Sequence, residues 1–115
     1  MIITIITNDP PYGTERSFNA LRLAMSLVKD EDVKLNLFLM ADAVACAMKD
    51  QETPQGYYNL ERMLKSVTGR GTVRACITCM KARGVKEEYF VEGVKSGDMA
   101  LLADWVKTSD KVISF

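Results

Sequence analysis

Residues 2–7 read Ile2-Ile3-Thr4-Ile5-Ile6-Thr7, an unbroken β-branched run. A strand with one wet face alternates apolar and polar positions; a continuous run of this length describes a strand buried on both faces, as in a parallel sheet. Parallel strands need long crossover connections, usually helices, which cover the two faces of the sheet.

The chain outward from this run keeps to that plan. A loop over 8–13 carries Pro10 and Pro11, and Thr14 is placed to cap a helix. Phe18, Leu21, Ala24, Met25 and Val28 recur at helical spacing and form one apolar stripe. Residues 33–40 (VKLNLFLM) read as the second strand, and Asp42 as the cap of a short helix over 43–48. That helix contains Cys46, read as a packing residue. The polar stretch 49–56 is a loop, followed by a helix over 57–68 that turns Leu60, Met63, Leu64 and Val67 inward. The third strand is 72–76 (TVRAC), and it runs directly into a short helix closed by Gly84. A fourth strand is expected over 91–95, a helix over 99–107 capped by Asp98, and a fifth strand over 111–115. The expected architecture is one domain over 1–115, an open, mostly parallel, five-stranded sheet with helices on both faces. In such sheets reactive groups gather at the carboxyl ends of the strands.

Composition removes several functions. Lys plus Arg equals 15 and Asp plus Glu equals 15, so no net charge draws the chain to nucleic acid or an anionic membrane. No apolar run approaches the roughly 20 residues of a membrane span, and residues 1–7 lack the charged leader of a signal peptide. The chain has no histidine, which excludes Ser-His-Asp and Cys-His hydrolysis. Three cysteines cannot all pair within one chain, which suits a reducing, cytoplasmic setting. Zinc would need four ligands from scattered cysteines and carboxylates, so no metal is expected. The 8–14 loop has one glycine and neither a G-x-G-x-x-G nor a Gly-Lys-Ser/Thr pattern, so no nucleotide or flavin cofactor is expected.

What remains is sulfur chemistry. Cys76-Ile77-Thr78-Cys79 stands where a strand hands over to a helix. Unpaired N–H groups at a helix start favour a thiolate, and a CxxC setting lowers a thiol's pKa. Lys81 and Arg83 add positive charge nearby. Three-residue spacing on a helical turn brings the two sulfurs within range of exchange. The alternative is that both cysteines fill the junction as small apolar residues, and that Arg83 is a helix-end cation bonded to carbonyls. Asn8, Asp9 and Tyr12, at the end of the first strand, are candidates to line the same pocket; the alternative is a proline-stiffened turn.

The run Cys76-x-x-Cys79-x-x-x-Arg83-Gly84-Val85 resembles the signature of the DsrE/DsrF-like family of small sulfur-handling proteins. Asn8-Asp9-Pro10-Pro11, Phe18-Asn19-Ala20-Leu21-Arg22-Leu23-Ala24, Val91-Glu92-Gly93-Val94-Lys95 and the ending from Leu102 to Val112 are similar to its single-subunit branch. The resemblance implies a flavodoxin-like three-layer α/β sandwich and a homo-oligomer, a trimer or hexamer. It implies a sulfur carrier, sulfurtransferase-like, in which Cys76 takes sulfane sulfur from a persulfide donor and passes it to an acceptor thiol. Donor and acceptor would be proteins or small thiols. Cys79 has no counterpart in the tRNA-thiolation subunits of the family, and would resolve the persulfide as a Cys76–Cys79 disulfide. Arg83 would steady the anion. Two other functions stand beside this one: a CxxC thiol–disulfide redox protein, and a non-enzymatic oligomeric binding subunit whose cysteines only pack.

Overall fold

The computed structural model describes all residues, 1–115. Five strands, β1 (Ile2–Thr7), β2 (Lys34–Leu39), β3 (Thr72–Cys76), β4 (Val94–Gly97) and β5 (Lys111–Ser114), form one sheet in the order β4-β3-β2-β1-β5. Every neighbouring pair is parallel. Helices α1 (Arg16–Leu27), α2 (Leu60–Thr68), α3 (Ile77–Ala82) and α4 (Met99–Thr108) fill the connections, with a 3₁₀ helix at Ala41–Ala47 and another at Glu87–Tyr89.

The chain moves one way across the sheet from β1 to β4, then returns to the opposite edge for β5. With right-handed crossovers, α1 and α2 lie on one face and α4 on the other. The side chains agree. Thr7 bonds Ser17 of α1 at 2.8 Å, while Thr4 bonds Ser109, just past α4, at 2.7 Å. Phe38 meets Trp105 of α4 edge-on, with ring centroids 6.0 Å apart. Ile5, Leu35, Leu37, Phe38 and Leu39 are completely enclosed, as runs flanked by helices on both faces must be. No helix is long and apolar enough to cross a membrane.

Element edges differ from the sequence expectation where side chains override periodicity. Helix α1 starts at Arg16 rather than beside Thr14, whose hydroxyl donates to Asp9 at 2.8 Å and accepts the Arg16 N–H. Helix α2 starts at Leu60, not at 57, because Asn59 is extended and its side chain takes the Arg62 N–H. The segment expected as a helix over 43–48 is the 3₁₀ helix from Ala41, and Asp42 caps nothing there. Strand β4 begins at Val94, not at 91. Val91 is buried and bonds back to Ala47 O, and Gly93, at φ +96°, makes the turn into the strand.

Candidate functional site

Strand β3 ends at Cys76 and α3 begins at Ile77 with no loop between. Cys76 therefore occupies the cap position, extended at φ −60° and ψ 117°, and its Sγ accepts the Cys79 N–H at 3.5 Å. The helix is only six residues long, so its dipole adds little, and the individual N–H groups matter more.

The second sulfur has its own donor. Ala41, directly after Met40 at the end of β2, sits at φ +51°, a left-handed conformation uncommon for a residue with a side chain. This turn aims the Ala41 N–H at Cys79 Sγ, 3.2 Å away. Met40 Sδ lies 3.9 Å from the same sulfur. Arg83 closes the group: its Nε donates to Asp42 Oδ1 at 2.8 Å and its Nη1 to the Cys79 carbonyl at 3.1 Å. Both readings of Arg83 describe part of its geometry, since it bonds a helix carbonyl and also stands beside the cysteine pair.

The environments of the three thiols differ. All are free. Cys46 is fully enclosed, and burial pushes its pKa up to about 12. Cys79 is half-buried; burial and the hydrogen bond with Cys76 raise its pKa, against smaller lowering by the Ala41 N–H and Arg83. The sequence expectation of a lowered thiol pKa in this motif thus reverses at Cys79, because desolvation outweighs the donors. Cys76 is 5% exposed. Neither Cys76 nor Cys79 lines a surface depression; one of about 320 Å³ is lined by the intervening Ile77 together with Ser96, Gly97, Asp98 and Leu101.

Asn8, Asp9 and Tyr12 do not join this group. The Asn8 amide donates to Phe115 O at 3.0 Å, and Asp9 takes the Thr14 hydroxyl. The Tyr12 hydroxyl donates to Gln51 Oε1 at 2.6 Å and accepts the Leu60 N–H at 3.1 Å. The physical reason is strand order. β2 lies between β1 and β3, so the two strand ends stand about 10 Å apart. The 3₁₀ helix fills the gap, with Ala41 against Cys79 and Cys46 against Asp9 O. Sequence reasoning missed Met40 and Ala41 altogether. An alanine carries no sign that its backbone is left-handed, where a glycine or asparagine would have raised the question.

A family model described as the DsrE/DsrF-like family matches residues 1–115. The chain is 40% identical to "Protein YchN" of Escherichia coli over 115 residues, covering 98% of this chain and 97% of that one. The crystal structure of that protein superposes with a TM-score of 0.92. An uncharacterised protein of Methanopyrus kandleri is 42% identical, covering 99% of this chain and 93% of its own. "Sulfurtransferase TusD" of Buchnera aphidicola is 29% identical over 128 residues, across the whole of both chains.

Proposed function

The chain belongs to the DsrE/DsrF-like family, and from that premise we propose that it is a sulfur carrier, sulfurtransferase-like, whose cargo is a persulfide on Cys76. The observation that carries the reading is the paired cysteine junction, in which each of the two sulfurs accepts a backbone N–H, from Cys79 and from Ala41. Such donors stabilise a thiolate or a perthiolate better than a thiol. A full-length relative described as a sulfurtransferase supports the same chemistry.

In the proposed transfer, a thiolate attacks the outer sulfur of a donor persulfide, R–S–SH. A new S–S bond forms on the protein, the donor S–S bond breaks, and R–S⁻ leaves. The acceptor thiolate then repeats the step on the protein persulfide. Nothing is oxidised or reduced overall, because the sulfane sulfur moves at constant oxidation state. The working form is proposed to be a homo-oligomer, a trimer or hexamer, with protein or small thiols as donor and acceptor.

The test is mass spectrometry after treatment with glutathione persulfide. Wild type should gain one sulfur atom that fragment ions place at position 76, and Cys76→Ser should gain none at that position. A wild type that holds no sulfur at position 76 removes the reading. The competing reading, cysteines as packing only, draws on the 5% exposure of Cys76. It expects both thiols to resist iodoacetamide in the folded protein, and rapid labelling at either position overturns it.

A further inference from the structure

Two sulfurs three residues apart present different faces to the outside. Cys76 is almost sealed, at 5% exposure, on the last residue of β3. Cys79 is half-buried, one turn into α3. A donor persulfide attached to any bulky thiol has to bring its outer sulfur in line with the attacking sulfur. Of the two residues, only Cys79 keeps more than a trace of exposed surface on the side from which a donor arrives.

We propose that Cys79 is the receiving thiol and Cys76 the store, so that sulfur reaches Cys76 by an internal handover. This inference rests on the carrier reading above and adds the order of events to it. First, the Cys79 thiolate attacks the outer sulfur of R–S–SH; the donor S–S bond breaks, Cys79–S–SH forms and R–S⁻ takes up the proton released by Cys79. Second, the Cys76 thiolate attacks the outer sulfur of Cys79–S–SH. That S–S bond breaks, Cys76–S–SH forms, and Cys79 recovers the proton given up by Cys76. No oxidant or reductant enters either step.

The surroundings of Cys79 suit a sulfur that both receives and releases. The Ala41 N–H faces it at 3.2 Å, so charge has a fixed donor whether it sits on the attacking or the departing thiolate. That donor is held in place by the left-handed turn at Ala41, and the turn is tied to α3 through the Arg83–Asp42 pair at 2.8 Å. A left-handed alanine is the kind of uncommon backbone geometry found where positioning matters. The Cys79 N–H points at Cys76 Sγ, at 3.5 Å, so the same residue that receives sulfur also supplies the donor for the thiol behind it. Ala41 is on this account a positioning residue, acting through its backbone.

The experiment is a quenched time course of the reduced protein with glutathione persulfide, followed by peptide mapping of the added sulfur. In wild type, fragment ions of the peptide over 75–81, which carries both cysteines, should place the sulfur on Cys79 first and on Cys76 later. In Cys76→Ser it should remain on Cys79. In Cys79→Ser, Cys76 should load at least about tenfold more slowly, because access governs exchange rates. The wild-type order is readable without any variant, so a misfolded mutant does not decide the matter. Loading of Cys76 in Cys79→Ser at the wild-type rate, or of Cys76 before Cys79 in wild type, overturns the order and leaves the carrier reading intact. Sulfur on neither cysteine in any protein overturns the carrier reading, and the order falls with it.

Discussion

The thiol of Cys46 shows how one enclosed side chain sets a pH dependence. Burial raises its pKa from 9.0 to about 12. Between those values the folded protein keeps a proton that the unfolded chain has lost, so stability is intact below pH 9 and falls as pH rises toward 12. The limiting slope is about 1.4 kcal/mol per pH unit for one group. We expect the stability difference between wild type and Cys46→Ala, from urea unfolding, to be flat below pH 9 and to shrink steadily above it. A difference that stays constant to pH 11 would falsify this account of Cys46. At Cys79 the same desolvation acts against nearby donors, and burial wins there too. The reactive form at neutral pH is therefore a minor population, and its alkylation should accelerate continuously as pH rises toward 9 and beyond.

Among the elements, α2 depends most clearly on a single cap. Its apolar face, Leu60, Leu64 and Val67, is fully enclosed against the sheet and α1. Asn59 holds the start in place: Oδ1 accepts the Arg62 N–H at 3.1 Å, and Nδ2 donates to Gln51 O at 3.1 Å. The second bond ties the helix to the preceding loop, so the residue works in two elements at once. Asn59→Ala should cost about 1 kcal/mol for the lost cap, and more for the loop carbonyl left without its donor. Chemical denaturation checks this, and an unchanged midpoint excludes the capping account. The extended Asn59 is also why the helix begins three residues later than its apolar spacing suggests.

The whole molecule has one closely covered sheet face and one more sparsely covered. α1 and α2 pack together over the first, while α4 stands alone over the second, where Thr4 and Asn36 are among the buried side chains. Met99 and Val106 of α4 and Val112 of β5 remain exposed. For the proposed homo-oligomer, light scattering at micromolar concentration should give three or six times the 12.8 kDa chain mass. A single 12.8 kDa species across that range removes the oligomer from the proposal.

Much of this molecule is legible in local pattern alone. The β-branched run at Ile2–Thr7, the apolar stripe from Phe18 to Val28 and the alternation of strands with helices imply a parallel α/β sheet, since each signal is complete within a few residues. The TVRAC strand running into ITCMKA likewise places Cys76 and Cys79 at a strand-to-helix junction. Strand order is a different kind of fact. Periodicity says which face of a strand is buried but not which strand lies beside it, and only the fold puts β2 between β1 and β3, parting Asn8, Asp9 and Tyr12 from Cys76 and Cys79. The same arrangement brings Ala41, 38 residues before Cys79 in the chain, to 3.2 Å from its sulfur. Burial decides chemistry in the same way: the depth of Cys76 and the raised pKa of Cys79 are sums over neighbours from several elements, and no single stretch of chain contains them.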